Sequence, residues 1–259
     1  MEENRRHQAV LEALRERPFL SVNELKDLVG ASAATVRRDI EKLAGAGRAN
    51  KVYGGVTALD GAHQHRPVAL PFADNRDIAV DAKRAIAAAA AELVRDGSQI
   101  IVHAGSTCFH FGVRIADRNV RVATHSMPLA AYLGEYGTCQ VIVGGGDLHR
   151  EPGLLYQSRG LDTDFFAQQF FVGALGVSAN GILESHPLLV KFVQHFAERA
   201  NEVILLVDSR KFEERPPSVA LPLWRVARIV TDSGLSEAHR QMIEDAGVQL
   251  TIADPEVRL

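Results

Sequence analysis

From Asp77 onward, short apolar runs alternate with helical segments, and few folds accept that alternation. The runs are residues 99–103, 120–124, 139–143, 170–173, 203–207 and 227–231. Residues 81–94, 107–116, 128–134, 188–200 and 237–246 read as helices between or after them. A strand that leads into a helix re-enters its sheet in parallel, so the expectation is a mainly parallel sheet covered by helices. Ligands of such sheets bind at the carboxyl ends of the strands.

Four of those ends carry groups suited to an anion or a polyol. Run 99–103 is followed by Gly105, Ser106 and Thr107 and then a helix. Glycine lets the backbone turn closely, and hydroxyls beside free amides at a helix N-terminus bind phosphate. Run 120–124 ends in Thr124, followed by His125 and Ser126. Run 139–143 leads to Gly144 and Gly145, and run 203–207 to Asp208 and Lys211. One such turn commonly does no more than cap a helix. Four together point to a phosphorylated, hydroxyl-rich small molecule.

The first 58 residues follow a different pattern. Residues 4–17 read as an amphipathic helix with Val10, Leu11 and Leu14 on one face, stopped by Pro18. Ser21 caps a short helix with Val22, Leu25, Leu28 and Val29 inward, and Gly30 ends it. Ser32 caps a third helix, in which Val36, Ile40 and Leu43 form one stripe and after which Gly45 and Gly47 close the turn. Three short helices with a tight turn before the third make a helix-turn-helix. Arg37 and Arg38 stand about 100° and 200° round that third helix from Val36. They project outward in the half that enters a major groove, where arginine forks onto guanine or clamps phosphate. Ser32 and Thr35 offer hydroxyls to phosphate oxygens. Residues 48–56 read as a hairpin or wing that brings Lys51 and Tyr53 to the sugar-phosphate backbone. Asp39, an acid in this basic surround, is expected to pair with an arginine and hold its rotamer.

Charge supports the division. Residues 1–58 hold ten Lys and Arg against eight Asp and Glu, whereas residues 59–259 hold nineteen against twenty-four. A modest basic surface on an otherwise acidic chain can attract phosphates. Residues 59–75 contain two prolines and no sustained period, and read as a linker. The expected organisation is a DNA-binding domain over 1–58, a linker over 59–75 and an effector-sensing domain over 76–259. His63 and His65 lack a further ligand nearby, so no metal site is expected, and no cofactor is implied. Cys108 and Cys139 form no framework. No apolar run approaches the roughly eighteen residues of a membrane-spanning helix. The charged first residues lack the apolar core of a secretory signal. A cytoplasmic location without membrane contact is the expectation.

The residues that carry chemistry also carry a resemblance. Ser32, Thr35, Val36, Arg37, Arg38, Asp39, Ile40, Leu43, Gly47, Gly54 and Gly55 stand in the pattern of the winged helix-turn-helix of the DeoR family of bacterial transcriptional regulators. The later part is similar to that family's effector domain through Lys83, Gly105, Ser106, Thr107, Thr124, Ser126, Gly144, Gly145, Gly153, Phe170, Gly173, Gly181, Asp208, Ser209 and Lys211. The resemblance implies an α/β fold related to ribose-5-phosphate isomerases and CoA-transferases, and a sensor of a sugar phosphate or related metabolite. The stretches RHQAVLEAL, AGSTCFHFG, MPLAAYL and VDSRKFEER look nearest to the ascorbate-utilisation repressors within it. Three departures stand out: His125 replaces the usual Asn, residues 167–169 lack the usual Asp, and Glu184 with its followers replaces a Thr and Glu pattern. All three are expected at the effector pocket.

Three functions compete. The first is a regulator, which the resemblance implies is a repressor of a sugar or carbohydrate catabolic operon, binding a double-stranded operator as a homo-oligomer (dimer or tetramer) and released or modulated by a phosphorylated sugar-like effector. The second is a sugar-phosphate isomerase or transferase using Asp208, Lys211, His125 and Glu184 as an acid-base set. An enzyme leaves the DNA-reading segment unexplained, so the expectation is no catalysis. The third is a DNA-organising protein, against which the large second domain argues. Trp224 is expected in a core or interface, and His110 and His149 show no evident partner.

Overall fold

The computed structural model describes residues 3–16, 19–52, 54–57, 72–149, 152–157 and 165–254. The chain divides into two compact units, Met1–Val68 and Ala69–Leu259. Tyr53, His63 and His65 lie outside the described residues.

The first unit runs α1 (Glu3–Glu16), β1 (Phe19–Ser21), α2 (Val22–Val29), α3 (Ala33–Gly45), β2 (Asn50–Val52) and β3 (Gly55–Thr57). Local chemistry sets the helix ends. Ser21 Oγ accepts from the Glu24 amide at 3.2 Å, while Glu24 accepts from the Ser21 amide at 2.9 Å, a reciprocal cap on α2. Gly30 ends α2 in the left-handed region at φ 61°, which turns the chain into α3. Val10, Leu14, Leu25, Val29, Val36, Ile40 and Leu43 close one core. Leu28, expected inward, is instead 47% exposed. The wing is an antiparallel sheet in the order β1-β3-β2, whose strand β1 is too short to show a period.

Asp39 ties α3 to α1. Its carboxylate accepts from Arg6 Nε at 2.7 Å and Arg6 Nη2 at 3.1 Å, and lies 3.1 Å from His7 Nε2. The expected arginine partner is therefore on α1, not one of its neighbours in sequence. Burial pushes the Asp39 carboxyl up, but the bonds from Arg6 and His7 outweigh it and hold the group below 3.8.

The second unit begins with α4 (Phe72–Arg76), a short helix that overlaps the end of the 59–75 span read as a linker. It continues with α5 (Val80–Ala91), β4 (Gln99–Val102), α6 (Ser106–Arg114), β5 (Arg121–Thr124), α7 (Met127–Tyr136), β6 (Gln140–Val143), β7 (Asp147–His149) and β8 (Leu154–Tyr156). Then come β9 (Ala167–Val172), β10 (Gly176–Ser178), β11 (Gly181–Glu184), α8 (Pro187–Ala197), β12 (Ala200–Leu206), β13 (Ser218–Leu221), β14 (Arg228–Asp232), α9 (Glu237–Asp245) and β15 (Gln249–Ala253). Seven strands form one sheet in the order β15-β14-β12-β9-β4-β5-β6, and every neighbouring pair is parallel. Alternation along β9 sends Phe170 to one face and Phe171 to the other. Phe170 packs with Phe192 and Phe196 of α8, while Phe171 stacks on Phe111 of α6 at 4.1 Å. The small sheet β10-β11-β13, the hairpin β7-β8 and the strand β15 were not legible as runs. Trp224, expected in a core or interface, is 73% exposed here.

Strand order decides where a ligand can sit. From β4 the chain moves to β5 and β6 on one side, then returns to β9, β12, β14 and β15 on the other. The loops leaving β4 and β9 must part, and a crevice opens between them.

Replacing Asp39 with Asn should weaken the first unit by about 1–3 kcal/mol at neutral pH, because two bonded partners lose their charge complement. Faster hydrogen exchange of α1 and α3 amides in the full chain reads this. The wild-type contribution is present above the ordinary value of 3.8 and is lost as pH falls through the lower folded value. Asp39→Asn should lack that acid step.

Candidate effector pocket and nucleic-acid interface

The crevice between β4 and β9 forms a pocket. It is a partly open cleft whose cavity volume is about 60 Å³. Residues 104–108 line it from the turn after β4, Gly173, Ala174 and Leu175 from the end of β9, and Asp208 and Lys211 from the end of β12. Lys83 and Asn75, His103, Pro152, Leu189 and Glu184 of β11 complete the wall.

The turn after β4 is built for an anion. Gly105 takes φ 116°, and no side chain caps α6. The first amides of the helix are therefore left for another acceptor. Ser106 and Thr107 are buried there. Cys108 is buried behind them, and burial pushes its thiol up to about 12 against the Gly173 amide, so it is a packed residue and no thiolate.

Lys83 brings a buried cation. Its ammonium donates to the Asn75 carbonyl and reaches Asn75 Oδ1 at 3.4 Å. Burial lowers it to about 8, with Asp208 attracting it and Arg210 and Lys211 repelling it. Ala79, at the start of the same helix, is the non-glycine residue with positive φ among the described residues. Asp208 is fixed by Arg210, which donates to its two oxygens at 2.7 and 3.0 Å. Asp232 holds the next residue, accepting from the Ser209 amide at 2.7 Å and its hydroxyl at 2.9 Å. Lys211 is left to the pocket.

Not every expected residue arrives. Thr124 donates to the Val102 carbonyl at 2.8 Å and accepts from the Ser126 amide at 3.1 Å. Ser126 accepts from the Leu129 amide at 3.3 Å and caps α7. Both hydroxyls are committed to the fold. The His125 ring is buried between Phe192 and Phe196, at 4.8 and 5.0 Å. Burial lowers it to about 4, helped by the nearby His195 charge. Gly144 sits against that ring, where an added Cβ would come within 1.9 Å of it, and Gly145 faces open space. These five residues stand outside the pocket, so the acid-base set with His125 is not assembled. Gln168 and Gln169 lie at the amino end of β9, bonded to the Gln99 amide and the Leu93 carbonyl. His110 is 3.3 Å from the Arg76 carbonyl, and His149 stacks near His186 at 4.7 Å, so neither lacks a partner.

Lys83 and His103 were not among the expected pocket residues, whereas Glu184, expected there as a departure from the family pattern, does line the wall. Lys83 stands in the alanine-rich helix, and nothing in that helix shows which side faces strand ends. Strand order, which creates the crevice, leaves no local trace in residue type.

On α3, Arg37 and Arg38 are exposed and carry no partner among the described residues. Ser32 accepts from the Thr35 amide at 3.2 Å, and the two hydroxyls are 3.0 Å apart, so one hydroxyl proton remains for a ligand. Lys51 pairs with Glu41 at 2.8 Å in a solvent-exposed bridge that costs little to exchange for phosphate.

Residues 6–61 match the DeoR-like helix-turn-helix domain, and residues 78–233 match the DeoR C-terminal sensor domain. The HTH-type transcriptional regulators UlaR of Shigella dysenteriae and of Escherichia coli O1:K1 are each 30% identical over 251 residues, 96% of this chain and 99% of theirs. The chain belongs to the DeoR family. It is a transcriptional regulator with a DNA-binding helix-turn-helix and a sensor domain, and its relatives are regulators rather than enzymes. Among solved structures, ribose 5-phosphate isomerase A of Methanocaldococcus jannaschii is 22% identical over 50% of this chain and 53% of its own, with TM-score 0.37. The eIF2B-beta2-delta2 complex of Chaetomium thermophilum is 19% identical over 54% and 44%, with TM-score 0.41. No described helix of the regulator is long and apolar enough to cross a membrane.

Replacing Lys83 with Met should stabilise the unliganded regulator by about 1–3 kcal/mol, since a buried cation without a carboxylate partner is removed. Between pH 8 and 10.5 the unfolded chain holds the Lys83 proton that the folded chain has lost, so wild-type stability gains from this group as pH rises. Thermal melts across that range should show the gain in wild type and not in Lys83→Met.

Proposed function

We propose that this regulator is a cytoplasmic repressor of a sugar or carbohydrate catabolic operon, modulated by a phosphorylated sugar-like effector. The observation that carries the reading is the coincidence, in one crevice, of the uncapped α6 N-terminus, buried Lys83 and free Lys211. A buried cation whose bonded partners are the neutral oxygens of Asn75, beside uncapped amides, favours an anion in the crevice. Gly105, Ser106, Thr107, Asp208 and Lys211 are the effector-binding residues of this reading. Thr124, His125, Ser126, Gly144 and Gly145 shape the sheet edge beside them.

The DNA-binding role belongs to residues 1–58, joined through 59–75 to the sensor over 76–259. Arg37 and Arg38 enter the major groove of a double-stranded operator. Ser32, Thr35, Lys51 and Tyr53 contact its backbone. A homo-oligomer, dimer or tetramer, presents paired α3 helices to half-sites about 34–36 Å apart. The effector acts through its different affinities for the DNA-competent and released states. The resemblance to the ascorbate-utilisation repressors puts phosphorylated ascorbate among the first ligands to try, beside ribose 5-phosphate and glucose 6-phosphate.

Replacing Arg37 and Arg38 with Ala should cut affinity for an operator selected from random duplexes and flatten its salt dependence by about one to two units of slope. Unchanged affinity and slope would remove α3 from the interface. A saturating effector should raise the melting temperature and release the operator in the same concentration range.

A further inference from the structure

Glu184 is the pocket residue that the anion cradle does not use. It ends β11, opposite Ser218 of β13, and is buried. It lines the pocket, and its Oε2 has no hydrogen-bond partner among the described residues. A buried carboxyl oxygen left unpaired at the wall of a cavity is costly unless something in the cavity meets it.

We infer that Glu184 is the specificity-determining residue of this pocket, its carboxyl donating a hydrogen bond to a hydroxyl or carbonyl oxygen of an effector whose phosphate lies at the α6 N-terminus beside Lys83. The inference rests on the pocket being the effector site. Two groups at two parts of the wall then read two parts of one ligand: a phosphate ester with an oxygen acceptor on its carbon skeleton. Inorganic phosphate satisfies only the first.

The protonated form is the one the site favours. Burial pushes the Glu184 carboxyl up to about 8, against the Leu175 and Ser185 amides and the Lys211 charge. At pH 7 the group therefore keeps its proton and acts as a donor. The other ionisable groups of the wall are Lys211, Lys83, Asp208 held by Arg210, and His103. Burial and the charge of His125 lower His103 to about 4, so it stays neutral. Lys83 also titrates near 8, so pH alone does not isolate Glu184. A ratio of two ligands does, because both ligands need the same cation.

The experiment measures the affinity of the full-length regulator for inorganic phosphate and for ribose 5-phosphate, glucose 6-phosphate and phosphorylated ascorbate, by calorimetry from pH 6.5 to 9.5. At pH 7 the tightest ester should exceed inorganic phosphate by about 10–100-fold, and that ratio should fall as pH rises through 8. Glu184→Gln keeps a donor of the same size. It should retain the ratio within about threefold and lose its fall with pH. Glu184→Leu should bring the ratio close to one. If the esters outbind phosphate and the ratio is the same in wild type, Glu184→Gln and Glu184→Leu at every pH, the inference is overturned and the pocket reading stands. If neither phosphate nor any ester binds the wild type, the pocket reading itself fails and takes the inference with it. Should Glu184→Leu not fold, the wild-type and Glu184→Gln pH profiles decide alone.

Discussion

A parallel sheet that grows outward in both directions from one strand has to part its loops beside that strand. Here the strand is β4, and the parting lies between it and β9. Everything placed at the carboxyl end of these two strands faces a crevice that helices cannot cover. Backbone pairing forces the hole, and side chains only decide what it holds. The same turn that starts α6 leaves the first amides of that helix pointing at the hole, because Gly105 turns too sharply for a capping side chain.

Against that constraint the distribution of buried polar groups makes sense. Buried carboxylates are matched both away from the crevice, Asp39 by Arg6 and His7, and on its wall, Asp208 by Arg210. Other groups at the crevice are matched less completely. Lys83 has only the oxygens of Asn75, His103 has no partner at either ring nitrogen, and Glu184 Oε2 has none among the described residues. Among the described residues, unpartnered buried atoms also occur away from the cavity, at His125 Nδ1, His195 Nε2 and Thr231 Oγ1; what sets the crevice apart is that an imidazole, a carboxyl oxygen and an ammonium bonded only to neutral oxygens meet around one space.

The sequence made the elements legible and left their arrangement hidden. Strand and helix runs in the second unit show to within a few residues because each carries its own apolar period. Capped α2 and α3 show for the same reason. Leu28 fails because, at about 100° of turn per residue, it stands to the side of the stripe that Leu25 and Val29 bury. The hydroxyls of Thr124 and Ser126 fail differently. Residue type announces a polar group but not whether the fold has already used it. The end of β9 was invisible because Gly173, Ala174 and Leu175 carry no polar side chain, though their backbone forms one wall of the crevice. The triple glycine after β6 had a packing cause: Gly144 makes room for the His125 ring, and Gly146, at φ 124°, passes under the Tyr156 carbonyl.

The three departures from the family pattern sort themselves by this geometry. His125 lies beneath the aromatic side chains of α8, where it takes part in packing and does not line the crevice. Residues 167–169 stand at the amino end of β9, a full strand length from the crevice. Only Glu184 faces the cavity. A change at a buried ring or at the far end of a strand alters how firmly the wall is held. A change at the wall alters what the wall accepts. Of the three departures, Glu184 is therefore the one whose side chain can bear directly on what the crevice accepts.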